Sequence, residues 1–215
     1  MTEILIASGN AHKVDEIRAV LAGLGIACRS LGDLGRSFPE PEEHADTFEG
    51  NARIKAIGYA RLARSPCLAD DSGLKVDALR GAPGVRSARY ADDGASADLT
   101  RDERDGRNNR RLLRELEGVP DEARSARFVC ALCLASPSGR VMAEVRGVFE
   151  GRIGTPPRVP AGAHGFGYDP LFLVAPGFER TSAELSADEK NARSHRGNAL
   201  RLLAERLRSV RVEEA

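Results

Sequence analysis

Apolar and polar positions along this chain switch repeatedly between a period of two and a period near 3.6, which predicts strands and helices in alternation. Glu3-Ile-Leu-Ile-Ala7 reads as a strand, and Ser8-Gly-Asn-Ala-His-Lys13 as a turn opening a helix whose apolar stripe is Val14, Ile17, Val20, Leu21 and Leu24. Ile26 to Ser30 predicts a second strand. After the acidic, proline-rich loop Phe38 to His44, Asp46 or Thr47 is expected to cap a long helix through Ala63. Pro66 to Ala69 and the alternating Leu74, Val76 and Ala78 predict two strands around a turn at Asp70-Asp-Ser-Gly73. Gly81 to Gly84 is a turn by composition, followed by a helix from Ala97 to Glu117 with Leu99, Leu112, Leu113 and Leu116 inward. Its charge run, Arg101 to Arg111, mixes signs and reads as a solvated face. Ala126 to Ala135 and Arg140 to Glu150 form a predicted hairpin around Ser136-Pro-Ser-Gly139. A Gly/Pro-rich connection, Gly151 to Gly165, then leads to a capping box at Ser186 to Glu189 and a last helix with Leu200, Leu202, Leu203 and Leu207.

With 215 residues the chain is long enough for a sizeable core, expected as a single domain over 1–215. Lys plus Arg and Asp plus Glu are both 32, so no net charge points to nucleic acid or an anionic membrane as partner. No apolar run approaches the ~20 residues of a membrane span. Met-Thr-Glu-Ile at the start lacks a basic-then-apolar signal pattern, and a cytoplasmic protein is expected. Cys130 and Cys133 have the spacing of a redox or zinc pair, but on a strand residues three apart face opposite ways, so both read as core thiols. Lysine occurs only at positions 13, 55, 75 and 190, whereas arginine is abundant, so each lysine is a candidate for a place needing a compact charge.

Adjacent carboxylates at Asp70 and Asp71 repel, and a bound cation or cationic side chain is a reason to hold them together; a solvated turn is the plainer alternative. Glu42 and Glu43 would reach the same metal if their loop folds over that turn. A strand, a Gly-Asn turn and a helix start make a phosphate-binding geometry to which Lys13 adds charge, though a P-loop pattern is absent and a plain turn is the alternative. Phe166, between two glycines, is placed to stack on a base, with a core turn as the alternative. Lys190, His195 and Arg196 supply donors. Together these features suit a nucleoside triphosphate with Mg²⁺.

Six blocks in order, Ser8-Gly-Asn-x-x-Lys13, Thr47 to Ala52, Ala69-Asp-Asp-Ser-Gly-Leu74, Gly81 to Gly84 with Ser87-Ala-Arg-Tyr90, Gly165-Phe-Gly-Tyr-Asp-Pro170, and Ala183 through Lys190 to Gly197, resemble the inosine triphosphate pyrophosphatase (Ham1-like) family nearly end to end. The resemblance implies an α/β fold in which a long, twisted mixed sheet carries flanking helices in two lobes, with the active-site cleft between them and a homodimer as the usual assembly. It implies hydrolysis of deaminated purine nucleoside triphosphates (ITP, dITP, XTP, dXTP) to the monophosphate and pyrophosphate with Mg²⁺. By position, Ser8, Gly9, Asn10, Ala11, His12 and Lys13 would hold the triphosphate, and Asp71 would be the metal-linked general base. Glu42 would be a second metal ligand and Ser72 a substrate contact. Phe166, Gly167, Tyr168, Asp169, Lys190, His195 and Arg196 would contact the nucleoside end.

Two departures stand out. Gly50 occupies a position where the family often has an acid, which leaves Glu42, Glu43 and Glu49 open as the second metal ligand, and the connection Thr155 to His164 is longer than expected. Rival readings are an aspartyl-phosphate phosphatase, a pyrophosphatase for other modified nucleotides, and a nucleotide sensor without chemistry.

Overall fold

The computed structural model describes residues 3–23, 25–91 and 99–213. Predicted positions Leu24 and Ala97 lie outside the described residues. One mixed sheet has the strand order β2-β1-β3-β4-β5-β6, with β1 (Ile4–Ile6), β2 (Cys28–Ser30), β3 (Cys67–Val76), β4 (Ser125–Ala135), β5 (Val141–Ile153) and β6 (Phe172–Val174). β1 pairs in parallel with β2 and β3, whereas β5 and β6 are antiparallel. The helices are α1 (Ala11–Gly23), α2 (Phe48–Ala63), α3 (Arg101–Glu115), α4 (Ala187–Arg193) and α5 (His195–Glu213). Among the described residues no helix is long and apolar enough to cross a membrane.

The chain divides into two compact units, Met1–Ser72 with Cys130–Val148 and Arg193–Ala215, and Gly73–Val129 with Phe149–Ala192. In the first, Ile4, Ile6, Leu68, Cys130, Leu132 and Leu134 of the strands pack with Val14, Ile17 and Leu21 of α1 and Ala199, Leu200 and Leu203 of α5. In the second, Leu74, Val76, Phe128, Phe149 and Phe172 of the strands pack with Leu112 of α3 and with Leu116, Tyr168 and Leu185. Val14, Ile17, Leu21, Leu74, Val76, Leu112, Leu116, Leu200 and Leu203 are buried as the periodic patterns predict, which is the burial that drives folding, whereas Ala78 and Leu202, placed in the same patterns, are exposed.

Most predicted elements are present, with ends shifted by a few residues. Thr47 caps α2 by accepting a hydrogen bond from Gly50 N. α3 begins later than expected because Thr100 and Glu103 form a reciprocal capping box at its start. The turn Ser136 to Gly139 closes the β4–β5 hairpin, with Ser136 N donating to Arg140 O at 2.9 Å. All four cysteines are free. Cys130 lies against Asp70, whereas Cys133 lies near Glu144, as opposite faces of one strand require.

One prediction fails. The strand, turn, strand reading of residues 66–78 is replaced by the single strand β3, with Asp70 to Gly73 inside it. Asp and Gly ordinarily leave strands, but here each finds a tertiary partner. Asp70 and Asp71 point to opposite faces, where different cations meet them. At Gly73 a Cβ would lie 2.3 Å from Ser87 Oγ and 2.7 Å from Gly84 O, so the residue serves close backbone approach and not a turn.

Candidate active site

In the first unit β3 delivers two adjacent carboxylates to two different surroundings. Asp70, only 2% exposed, has Lys13 Nζ at 2.5 Å from Oδ1. Its Oδ2 accepts from Arg196 Nε at 3.2 Å and from Cys130 Sγ at 3.1 Å. Burial alone would raise the Asp70 carboxyl, but Arg196 and Lys13 outweigh it and hold the group well below the ordinary carboxylate range. Asp71 accepts from Lys55 Nζ at 3.0 Å on Oδ1. Its Oδ2 is buried with no hydrogen-bond partner among the described residues. Burial raises Asp71 above its ordinary value in spite of Lys55 and Lys13, and Glu43 adds to the rise. Neighbouring carboxylates pushed in opposite directions are the pattern that separates a fixed anion from a group able to exchange protons.

Local sequence explains how the cations arrive. Asn10 caps α1, its Oδ1 3.4 Å from Lys13 N, and Ser8 Oγ accepts from Asn10 N at 3.2 Å. Ala11, His12 and Lys13 thus form the first helical turn, whose N–H groups have no intrahelical acceptors and favour an anion. Among the described residues a Cβ on Gly9 would meet nothing within 4 Å, so none of them fills that side of the turn. Ser194 Oγ accepts from Gly197 N at 3.1 Å at the start of α5. Gly147 lets that turn lie directly on β5, since a Cβ there would fall 2.1 Å from His195 O. His195 is buried, and Arg196 is 1% exposed with its donors on Asp70, on Ser72 Oγ at 3.0 Å and on Glu16.

Glu43 and Glu42 are placed differently. Glu43 Oε1 lies 3.4 Å from Lys55 Nζ, next to the Asp71 contact, whereas Glu42 is exposed. Two glycines of α2 account for the loop's path. A Cβ on Gly58 would meet Pro41 Cγ at 2.6 Å, and one on Gly50 would meet Ala45 Cβ at 2.5 Å. The Pro41–Ala45 stretch therefore lies flat on α2, with Ala45 N donating to Asn51 Oδ1 at 2.9 Å. The missing acid at position 50 leaves room for Ala45.

Within this cluster three cations, Lys13, Lys55 and Arg196, face four carboxylates, Glu16, Glu43, Asp70 and Asp71. Among the described residues no three carboxylate, histidine or thiol side chains converge as a cage, but the unpartnered Asp71 Oδ2 with Glu43 nearby offers the oxygen donors that a hard divalent cation such as Mg²⁺ takes from one or two carboxylates.

The second unit holds the other predicted residues. Asp169 Oδ2 accepts from Phe166 N at 2.8 Å and from Lys190 Nζ at 2.7 Å. The Phe166 ring has Arg101 Cζ 4.6 Å and Lys190 Nζ 5.0 Å from its centroid. Gly165 and Gly167 have φ of +78° and +64°, and a Cβ on Gly165 would lie 2.2 Å from Asp169 Oδ2. Buried Tyr168 donates its hydroxyl to Ser87 O at 2.9 Å. Lys190 belongs to the second unit, and His195 with Arg196 to the first.

Sequence reasoning missed Arg101, Asp105 and Asn109 of α3, which sit inside the charge run read as solvated, and Glu16, which looked like any surface acid. The spacing of 101, 105 and 109, one helical turn apart, was the available signal. Lys55 stood out only as a scarce lysine.

The sequence pattern of the Ham1 family matches residues 4–206. A dITP/XTP pyrophosphatase of Anaeromyxobacter sp. is 47% identical over 99% of this chain and 100% of its own length. One from Nitratidesulfovibrio vulgaris is 50% identical over 94% of each chain. A solved HAM1 protein structure from Coxiella burnetii superposes with a TM-score of 0.80 at 41% identity, covering 97% of this chain and 100% of the other. Matches of this length and identity, on a six-stranded mixed sheet with the same flanking helices, show that the chain belongs to the Ham1 family.

Proposed function

We propose that this protein hydrolyses deaminated purine nucleoside triphosphates, ITP, dITP, XTP and dXTP, to the nucleoside monophosphate and pyrophosphate. The observation that carries the mechanism is the division between Asp70, saturated by Lys13, Arg196 and Cys130, and Asp71, whose Oδ2 has no partner among the described residues. The similar dITP/XTP pyrophosphatases support the substrate class.

In this reading Asp71 takes a proton from water as the water oxygen bonds to the α-phosphorus, and the bond from that phosphorus to the pyrophosphate oxygen breaks. Lys55 keeps the Asp71 carboxylate in place, and Lys13 with the first turn of α1 attracts the triphosphate. Asp71 with Glu43, or Glu42 on the same loop, would hold Mg²⁺, which supplies charge neutralisation for the departing pyrophosphate when bound. Phe166, Asp169 and Lys190 serve the nucleoside end, and Ser72 a substrate contact. A 6-keto oxygen accepts hydrogen bonds where the 6-amino group of adenine donates, so donors such as His195 and backbone N–H groups disfavour ATP. Arg196 has its donors on protein acceptors and acts by fixing Asp70. A single functional domain, a homodimer and a cytoplasmic setting belong to the same reading and rest on family resemblance.

A product assay on ITP, XTP, GTP and ATP with Mg²⁺, separating pyrophosphate from phosphate, tests this on the wild type and on Asp71→Asn. Pyrophosphate from ITP and XTP, little product from GTP or ATP, and a silent variant are expected. Phosphate as product, or a fully active variant, would overturn the reading in favour of a phosphatase.

A further inference from the structure

The charged face of α3 has a use that its composition hides. Burial along the helix follows one stripe: Arg101, Asp105 and Asn109 are half-buried and Asn108 and Leu112 buried, while Asp102, Glu103, Arg104, Arg107 and Arg110 are exposed. Asn108 ties the helix to the preceding segment, donating to Ser87 O and Ala88 O and accepting from Ala91 N at 2.7 Å. Asp105 and Asn109 grip the glycine that follows Phe166 by both its backbone groups. Gly167 N donates to Asp105 Oδ2 at 2.8 Å, and Asn109 Nδ2 donates to Gly167 O at 3.0 Å. Arg101, one turn earlier, sits over the Phe166 ring.

Gly167 has no side chain to anchor it: a left-handed glycine is conformationally permissive, and among the described residues a Cβ there would meet nothing within 4 Å. Phe166 N on Asp169 Oδ2 and the Tyr168 hydroxyl on Ser87 O hold its neighbours, and the hydrogen bonds from α3 hold Gly167 itself. Burial raises the Asp105 carboxyl above its ordinary value, against the Gly167 N–H and Arg101, so the helix keeps a partly desolvated acid where a solvated face would not need one. Asn109 similarly keeps its Oδ1 buried with no hydrogen-bond partner among the described residues while its amide nitrogen holds the loop.

We propose that Asp105 and Asn109 are positioning residues that set the orientation of the Phe166 ring by clamping both backbone groups of Gly167, and thereby govern how tightly the purine base is held. The inference rests on the reading of Phe166 as a base contact. Ring orientation is a binding property, so the clamp governs KM and leaves the chemical step at Asp71 alone.

The test is a double-mutant cycle with ITP as probe. Asp105→Ala is expected to raise KM about tenfold with kcat within about twofold, the loss of one charge-assisted hydrogen bond. Asp105→Asn, whose side-chain oxygen still accepts from Gly167 N, should restore KM to near the wild-type value. In a Phe166→Ala background Asp105→Ala should have no further effect on KM. Asn109→Ala, expected to raise KM about threefold, supplies the second arm if Asp105→Ala does not fold. Additive effects with Phe166→Ala, or an unchanged KM in both clamp variants, would overturn the clamp while leaving the base-contact reading intact. An unchanged KM in Phe166→Ala alone would overturn that reading, and the clamp with it.

Discussion

The carboxylate pair in the first unit and the Phe166 loop in the second solve opposite problems. Around Asp70 and Asp71, charges are held by charges, on side chains that strands and helix starts have already fixed, and nearly every polar atom is spent. Around Phe166, a permissive glycine backbone is held by a few hydrogen bonds from α3 and from Asp169. In the proposed mechanism the first region handles a proton and phosphates, and there misplacing one ion leaves another uncompensated. The second, in the same proposal, has only to accept a flat ring.

That contrast orders the expected effects of mutation. The largest is in Asp71→Asn, which should lower pyrophosphate release from ITP by roughly 10²–10⁴-fold, the usual range for removing a general base. Next comes Arg196→Met. It leaves Asp70 buried with Lys13 and Cys130 alone, and a loss of about 3–5 kcal/mol in urea unfolding is expected. Asp105→Ala, measured the same way, should cost about 1–2 kcal/mol, because the half-buried Gly167 N–H that loses its acceptor can bond to water instead. Equal losses in these two variants would erase the distinction between the regions.

A finer cut falls within the first unit. Glu43→Gln should raise the Mg²⁺ concentration needed for half-maximal rate about tenfold, whereas Glu42→Gln should leave it within about twofold. The reverse order would return the second-ligand role to Glu42. Smallest of all is the thiol response. Burial pushes Cys67 and Cys133 up to about 12, so at pH 8 both remain protonated and should resist a thiol reagent in the native protein. Half-buried Cys28 should react first, as titration with and without denaturant would show.

Much of the fold was legible in the chain. The α2 cap at Thr47, the hairpin at Ser136 to Gly139 and the opposed faces of Cys130 and Cys133 follow from local rules that tertiary structure did not override. β3 was misread because Asp-Asp-Ser-Gly carries a strong local turn signal, and only contacts from Lys13, Arg196, Lys55 and Ser87, distant in sequence, make a straight strand the better solution. α3 was read as solvated because alternating charges look alike whether they meet water or a loop 62 residues away.

By itself the sequence determined the order of elements, the apolar faces and the family, because periodicity, capping residues and ordered motif blocks are properties of neighbouring positions. Tertiary structure alone decided that Asp70 is neutralised while Asp71 keeps an open oxygen, that Glu43 rather than Glu42 approaches Lys55, and that α3 grips Gly167. Those outcomes depend on burial and on distances of about 3 Å between residues far apart in the chain, and electrostatic and hydrogen-bond energies at that range are set by position and local dielectric, which no stretch of sequence carries.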